Sequence, residues 1–161
     1  MNGSHTPYYT NDVSPEFLRD QNTPAHTAEH AEVVSEDTAA RARAHADYLM
    51  AHPCVGIYRI ATEGSQTRDG GVVNQTGSTM TFLLDNGEEI RAAHKGDTVT
   101  YPDGSSARIS TGAGVQYRDL ALVGSRLSNG DEIINTRQSG ALILARDGAA
   151  LGDDFLPPIT S

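Results

Sequence analysis

The sequence predicts a mostly-β domain of three hairpin repeats with pseudo-threefold symmetry, preceded by one short helix and an irregular N-terminal arm. Three observations carry that expectation. One phrase recurs: "GSQTRDGGVV" from Gly64 to Val73, "GDTVTYPDGSSARI" from Gly96 to Ile109, and "GSRLSNGDEII" from Gly124 to Ile134. From Val55 onward short β-type runs alternate with Gly, Asp and Asn, with a turn signal every ~8–12 residues. Aromatic residues are only 6% of the 161 residues and Trp is absent, which favours small side chains on a glycine-rich β framework over a large core.

Along the chain, residues 1–34 are polar and carry Pro7, Pro15 and Pro24, so they read as an irregular or extended arm. Tyr8, Tyr9, Phe17 and Leu18 are its possible anchors. Residues 35–54 read as helix and linker. Ser35 is a suitable N-cap, and Glu36 and Asp37 suit the positive end of a helix. Ala39, Ala42, Ala46 and Leu49 recur at helical spacing with Met50 beside them, and Pro53 ends the pattern, so a helix is expected from about Glu36 to Met50. Residues 55–146 form the β domain, with "VGIYRI", "MTFLL", "EEIRAA", "ARIST", "LALV", "EII" and "ALILA" as strand candidates and no helix. Asp85-Asn86-Gly87, Asp103-Gly104 and Asn129-Gly130 are tight-turn signals, because Asn, Asp and Gly tolerate positive φ. Residues 147–161 read as a C-terminal tail.

Charge and cysteine content exclude several classes. The net charge is −9, spread as −5 over residues 1–54 and −4 over the rest, with no cluster of Lys and Arg to neutralise phosphates. A nucleic-acid partner is therefore not expected. Cys54 is the only cysteine, so no intrachain disulfide forms. No apolar run approaches the ~18 residues of a membrane span. The first residues, "MNGSHTPYYTNDVSPEF", lack the basic start and apolar stretch of a secretory signal.

The repeats align on Gly64, Gly96 and Gly124, at intervals of 32 and 28 residues. Each follows a small apolar strand end ("IATE", "AAHK", "LALV") and is followed by Ser65, Asp97 or Ser125. A turn comes next, at Asp69-Gly70-Gly71, Asp103-Gly104 and Asn129-Gly130, and then β-branched residues resume. Units of this kind stack to share a core that none builds alone. A chain with three such faces suits the end of a homotrimer, one repeat over each subunit.

In its repeats the chain resembles the PAAR-repeat family, the small conical proteins that tip the VgrG spike of bacterial type VI secretion systems and related contractile tails. The family pattern has a T-x-x-GG-x-V tip, an A-x-x-GD-x-V-x-C-P segment, an I-x-x-G return and a third A-x-x-G unit ending in a Cys or His tip. Here the matching residues are Thr67, Gly70, Gly71 and Val73, then Ala93, Gly96, Asp97, Val99, Pro102, Ile109 and Gly112, then Ala121, Gly124 and Gly130. "FLPPI", Phe155 to Ile159, is similar to the ending of some members. The match covers about residues 57–136. It implies a conical fold, assembly in the bacterial cytoplasm and export by the injection apparatus.

The resemblance also implies zinc near the point, held by His and Cys of the tip loops. Those positions here are Arg68 or Asp69, Tyr101 and Asp103, and Ser128 or Asn129. None is His or Cys, so a site of the usual N and S ligands is not expected, and no cofactor is assigned. Asp69 and Asp103 remain as oxygen ligands for a harder cation, against the simpler reading of solvated turns. Arg68 with Asp69 or Asp103 offers a salt bridge across the tip, and Tyr101 offers packing. The tip loops are thus Arg68, Asp69, Gly70, Tyr101, Pro102, Asp103, Asn129 and Gly130, and the bends Gly64, Gly96, Asp97 and Gly124.

Other chemistry is sparse. His26 and His30 read as exposed residues of the arm, and His45, His52 and Cys54 fit no common zinc spacing. His94 reads as exposed. Ser65 and Ser125 follow glycines but have no histidine base in their repeats. "GAGVQ" at Gly112–Gln116 lacks the helix a phosphate loop needs. Glu88-Glu89, Asp131-Glu132 and Asp153-Asp154 read as strand-edge or tail charges.

The leading expectation is a non-enzymatic tip that caps a homotrimeric VgrG-like spike, one copy per trimer, with strand-edge backbone groups capped by the partner's strands. Residues 1–54 would serve as an adaptor for an effector or chaperone. The alternatives are a free-standing monomeric β domain that binds carbohydrate or protein, for which Tyr58, Tyr101 and Tyr117 are the available rings, and a phage tail tip.

Overall fold

A computed structural model describes residues 8–22, 36–149, 151–152 and 154–156. Its elements are α1 (Pro15–Asp20), α2 (Glu36–Ala51), β1 (Cys54–Arg59), β2 (Val72–Val73), β3 (Thr81–Leu83), β4 (Glu89–Arg91), β5 (Thr98–Thr100), β6 (Ser106–Arg108) and β7 (Leu142–Arg146), with a 3₁₀ turn at Val115–Tyr117. The fold is mostly β. Strands pair β1 with β7, β3 with β4, and β2 with β5 and β6. The chain falls into two compact units, one holding residues up to Asn11, Tyr58–Ile143 and the tail from Leu151, the other Asp12–Ile57 and Leu144–Ala150.

In the second unit a helix stands where an irregular arm was expected. Ser14 Oγ accepts the Phe17 N–H at 3.1 Å and Pro15 opens α1, so a local Ser-Pro-Glu start nucleates a turn within a polar stretch. Helix α2 runs one residue past the expected end. Ala39, Ala42 and Ala46 are half-buried and Leu49 is buried, as the stripe requires, while Met50 is 80% exposed. Ser35, its expected cap, lies outside the described residues, as do His26 and His30. The Arg146 guanidinium gathers this unit, donating to the Gln21 carbonyl (2.8 Å), the His52 carbonyl (3.0 Å) and Asn22 Oδ1 (3.1 Å).

The first unit closes on three alanines. Ala61, Ala93 and Ala121, each three positions before a repeat glycine, are fully buried. Ala61 N–H donates to the Ala121 carbonyl at 2.9 Å, Ala93 N–H to Ala61 at 2.9 Å, and Ala121 N–H to Ala93 at 2.8 Å. The same rotation recurs around this cycle. Ile60 bridges Leu122, Ala92 bridges Thr62, and Leu120 bridges His94. Farther along, Thr67 faces Ile133, Val99 faces Val73, and Leu127 faces Ile109. Each repeat's outgoing arm thus pairs with the return arm of the one before it, and the first pairs with the third. The pseudo-threefold arrangement lies in the backbone itself.

The bends explain the recurring glycines and the Ser or Asp after them. Gly64, Gly96 and Gly124 have φ of 84°, 95° and 107°, a region costly for residues with a Cβ. Ser65 Oγ then accepts the Thr62 N–H (3.0 Å), Asp97 Oδ2 the His94 N–H (2.7 Å) and Ser125 Oγ the Leu122 N–H (2.9 Å). Any short side chain with an acceptor oxygen serves, so Ser and Asp interchange.

Inward positions form one core of Ala61, Val73, Ala93, Val99, Ala107, Ile109, Ala121, Leu127 and Ile133. Neighbouring residues alternate in direction. Ile60, Ala92, Leu120 and Leu122 therefore join a second cluster with Ala113 and Ile143, against which Tyr58, Phe82, Tyr117, Leu151, Phe155 and Leu156 pack. The tail is thereby part of this core; Leu156 N–H donates to the Gly112 carbonyl at 2.8 Å. The arm contributes too. Tyr9 and Thr136 exchange backbone hydrogen bonds (2.8 and 2.9 Å), and Asn11 accepts from Arg59 N–H and donates to the Val123 carbonyl, both at 2.8 Å. "LALV" and "EII" pair only as isolated bridges, whereas Thr98–Thr100, absent from the candidates, is a strand.

Candidate functional site

The three hairpin loops meet at the end of the first core away from the alanine cycle, and the middle loop fills the space between them. Counting from the return residues Val73, Ile109 and Ile133, the inward position two places earlier is Gly71, Ala107 and Asp131. The first two are small and the third is a carboxylate with no solvent exposure. Asp131 was expected as a strand-edge charge; its register turns it inward instead.

Tyr101 reaches this carboxylate. Its hydroxyl donates to Asp131 Oδ2 at 2.6 Å and accepts from Asn129 Nδ2 at 3.0 Å. Asp131 Oδ1 accepts the backbone N–H of Glu132 (2.7 Å) and of Asp69 (3.1 Å), and the Thr67 hydroxyl bonds the same carboxylate. All three repeats are thus tied to one buried group. Burial opposes ionisation of Asp131, but the Thr67 and Tyr101 hydroxyls and the two backbone N–H groups outweigh it and hold the carboxyl below its ordinary range. Burial first, and then the bond to Asp131, push the Tyr101 phenol up.

The tyrosine ring explains the double glycine of the first loop. A Cβ on Gly71 would stand 2.5 Å from Val99 Cγ1, 2.9 Å from Tyr101 Cε1 and 2.9 Å from Thr67 Oγ1. Only glycine lets the first loop lie under the ring. A Cβ on Gly70, by contrast, would merely touch Pro102 at 4.0 Å, which places those two loops side by side.

Outside this plug the tip residues hold their own loops. Arg68 lies 3.7 Å from Asp69 and 3.8 Å from Glu132, and donates to the Gly130 carbonyl at 3.0 Å. Its partners are thus Asp69 and Glu132; Asp103 accepts from the Ser105 N–H and hydroxyl within its own turn. Hydrogen bonds from Ser105 lower the Asp103 pKa. Asp69 and Asp103 are not brought together with a third ligand, and among the described residues no group of three or more His, Cys, Asp or Glu stands close enough to hold a metal.

Ser65 and Ser125 are buried acceptors of the bends. His94, expected to be exposed, is half-buried with both ring nitrogens bonded. Glu88 pairs with Arg137 at 2.7 Å, and Asp154 accepts the Val115 N–H at 2.9 Å. "GAGVQ" leads into a single 3₁₀ turn whose first N–H is already taken by that carboxylate. Backbone groups beside the alanine cycle are met within the chain: Ile60, Ala92 and Leu120 N–H donate to Ala141, Met80 and Tyr117 carbonyls at 3.1, 2.9 and 3.1 Å. No partner strand is needed to cap them. Tyr58 and Tyr117, apart in sequence, both meet Phe155, with ring centroids at 4.9 and 6.4 Å.

Among the described residues no helix is long and apolar enough to cross a membrane. No family model, curated protein or solved structure matches the chain.

Proposed function

We propose that the chain caps a homotrimeric, VgrG-like spike of a contractile injection system, one copy per trimer. The observation that carries this reading is the cycle of Ala61, Ala93 and Ala121, a threefold backbone pattern that would suit three identical subunits. The resemblance of the repeats to PAAR proteins supplies the kind of partner. Mounting is mechanical and calls for no chemistry; in place of the zinc that the resemblance implies, the Tyr101–Asp131 plug would tie the loops. Because the Ile60, Ala92 and Leu120 N–H groups beside the cycle are already bonded within the chain, docking on that face would rely on side-chain complementarity. Residues 1–54 would carry an effector or chaperone.

Native mass spectrometry of the protein recovered with its partners from source-cell extract tests this. One copy with three identical chains is the expected mass. A lone chain that captures no trimer overturns it. That outcome favours the second reading, a monomeric β domain that binds carbohydrate or protein.

A further inference from the structure

The residue after the inward Ala93 points its side chain away from the first core, and that residue is His94. Its Nε2 lies 2.9 Å from Ser78 Oγ and its Nδ1 lies 3.1 Å from the Arg118 carbonyl oxygen. A carbonyl only accepts, so Nδ1 carries the proton and Nε2 presents its lone pair to the serine. Ser78 Oγ also accepts the Met80 N–H at 3.1 Å, which leaves its own proton directed at the imidazole. This is a nucleophile, a base and a group that orients the base.

The orienting carbonyl sits on an unusual backbone. Arg118 and Asp119 both have φ of 55°, a left-handed conformation that residues with a Cβ seldom adopt in succession. The pair of left-handed residues presents the Arg118 carbonyl to the imidazole and the Asp119 carbonyl to the Lys95 N–H (2.8 Å). Ser78, His94 and Arg118 line one cavity of about 360 Å³, with Met80 and Leu120 as its apolar wall. That volume suits a small molecule. The Arg118 side chain enters no ion pair among the described residues.

We propose that Ser78 and His94 form a nucleophile–base pair that hydrolyses a small ester bearing an acidic group, recognised by Arg118. Ser78 Oγ forms a bond to the ester carbonyl carbon as its proton passes to His94 Nε2. The tetrahedral centre collapses, the bond to the alcohol oxygen breaks, and that oxygen takes the proton from His94 and leaves. Water then gives a proton to Nε2 and attacks the acyl carbon; the bond to Ser78 Oγ breaks, the proton returns to the serine, and the free acid departs. This goes beyond the mounting role and does not rest on it.

The test is a fluorophosphonate probe on the purified full chain, with the adduct mapped by peptide mass, together with hydrolysis of 4-nitrophenyl hemisuccinate and 4-nitrophenyl acetate. A single phosphonate on Ser78 is expected. S78A should abolish both labelling and turnover, H94Q should lower kcat about 10²–10⁴-fold, and R118Q should raise KM about tenfold for the hemisuccinate alone. No adduct on Ser78 of the native chain overturns the proposal, whether or not the variants fold, and so does equal turnover by a folded S78A. Capture of a trimeric spike, or its failure, bears only on the mounting reading.

Discussion

The outer two repeats and the middle one solve the same problem differently. Residues 61–70 and 121–130 follow the same course position by position: bridge, turn, glycine bend, bridge, turn. Both bends use Ser, and in both hairpins the loop glycine stands six positions after the bend glycine, Gly70 after Gly64 and Gly130 after Gly124. The middle repeat uses Asp97, runs eight positions from Gly96 to Gly104, and has true strands in β5 and β6. Its extra length brings Tyr101 to the point where the loops converge. Threefold symmetry therefore governs the backbone near the alanine cycle and is given up at the loops, where three equal side chains would leave a hole or collide. One long arm, one carboxylate and one glycine fill that space together.

The sharpest way to break this division is at Asp131. D131A removes the buried acceptor of the Tyr101 hydroxyl and of two backbone N–H groups, and should cost roughly 3 kcal/mol or more, read from denaturant unfolding. The native chain should also lose stability in acid. Asp131 has a lowered pKa in the fold, so its contribution is complete above the ordinary carboxylate range and fades as pH falls through the lowered value. D131N should flatten that part of the profile; an unchanged acid limb would mean the carboxylate is not the link between the loops.

A smaller effect is expected at Gly71. G71A forces a methyl against Val99 and Tyr101 and should cost about 1–3 kcal/mol by overpacking. Measured within a Y101L background, G71A should cost less than it does in the native chain if the ring helps exclude the methyl. The smallest belongs to the symmetric part. At Gly96 a Cβ would meet nothing within 4 Å, so only its φ of 95° opposes substitution. G96A should cost about 1–2 kcal/mol. Equal losses at Gly71 and Gly96 would erase the distinction between a glycine kept for space and one kept for backbone angle.

The symmetric part was also the legible part. Gly64, Gly96 and Gly124 recur because their φ values exclude other residues, and such constraints print directly into sequence. Helix α2 was legible through its alanine stripe. Asp131 was not, because a charged residue beside Glu132 looks like a pair of surface charges until the register of Ile133 shows which one turns inward. Nor was Ser78, whose histidine partner comes from another segment. Helix α1 was hidden by prolines that seemed to forbid structure, although one of them occupies the first helical turn. Local backbone demands show in the chain; partnerships between distant side chains show only in the fold.

The alanine cycle also has a consequence in time. During synthesis from the N-terminus only the bond from Ala93 to Ala61 can form early, because the other two both require Ala121. The outgoing arm of the first repeat likewise waits for Ile133. The first two repeats thus leave the ribosome as an incomplete object with open arms and half a core, held back by the entropy of long-range closure. The third repeat completes the hydrogen-bond circuit, so a nascent chain that stalls before it can hold the β2–β5–β6 and β3–β4 pairings but neither the closed cycle nor the full core.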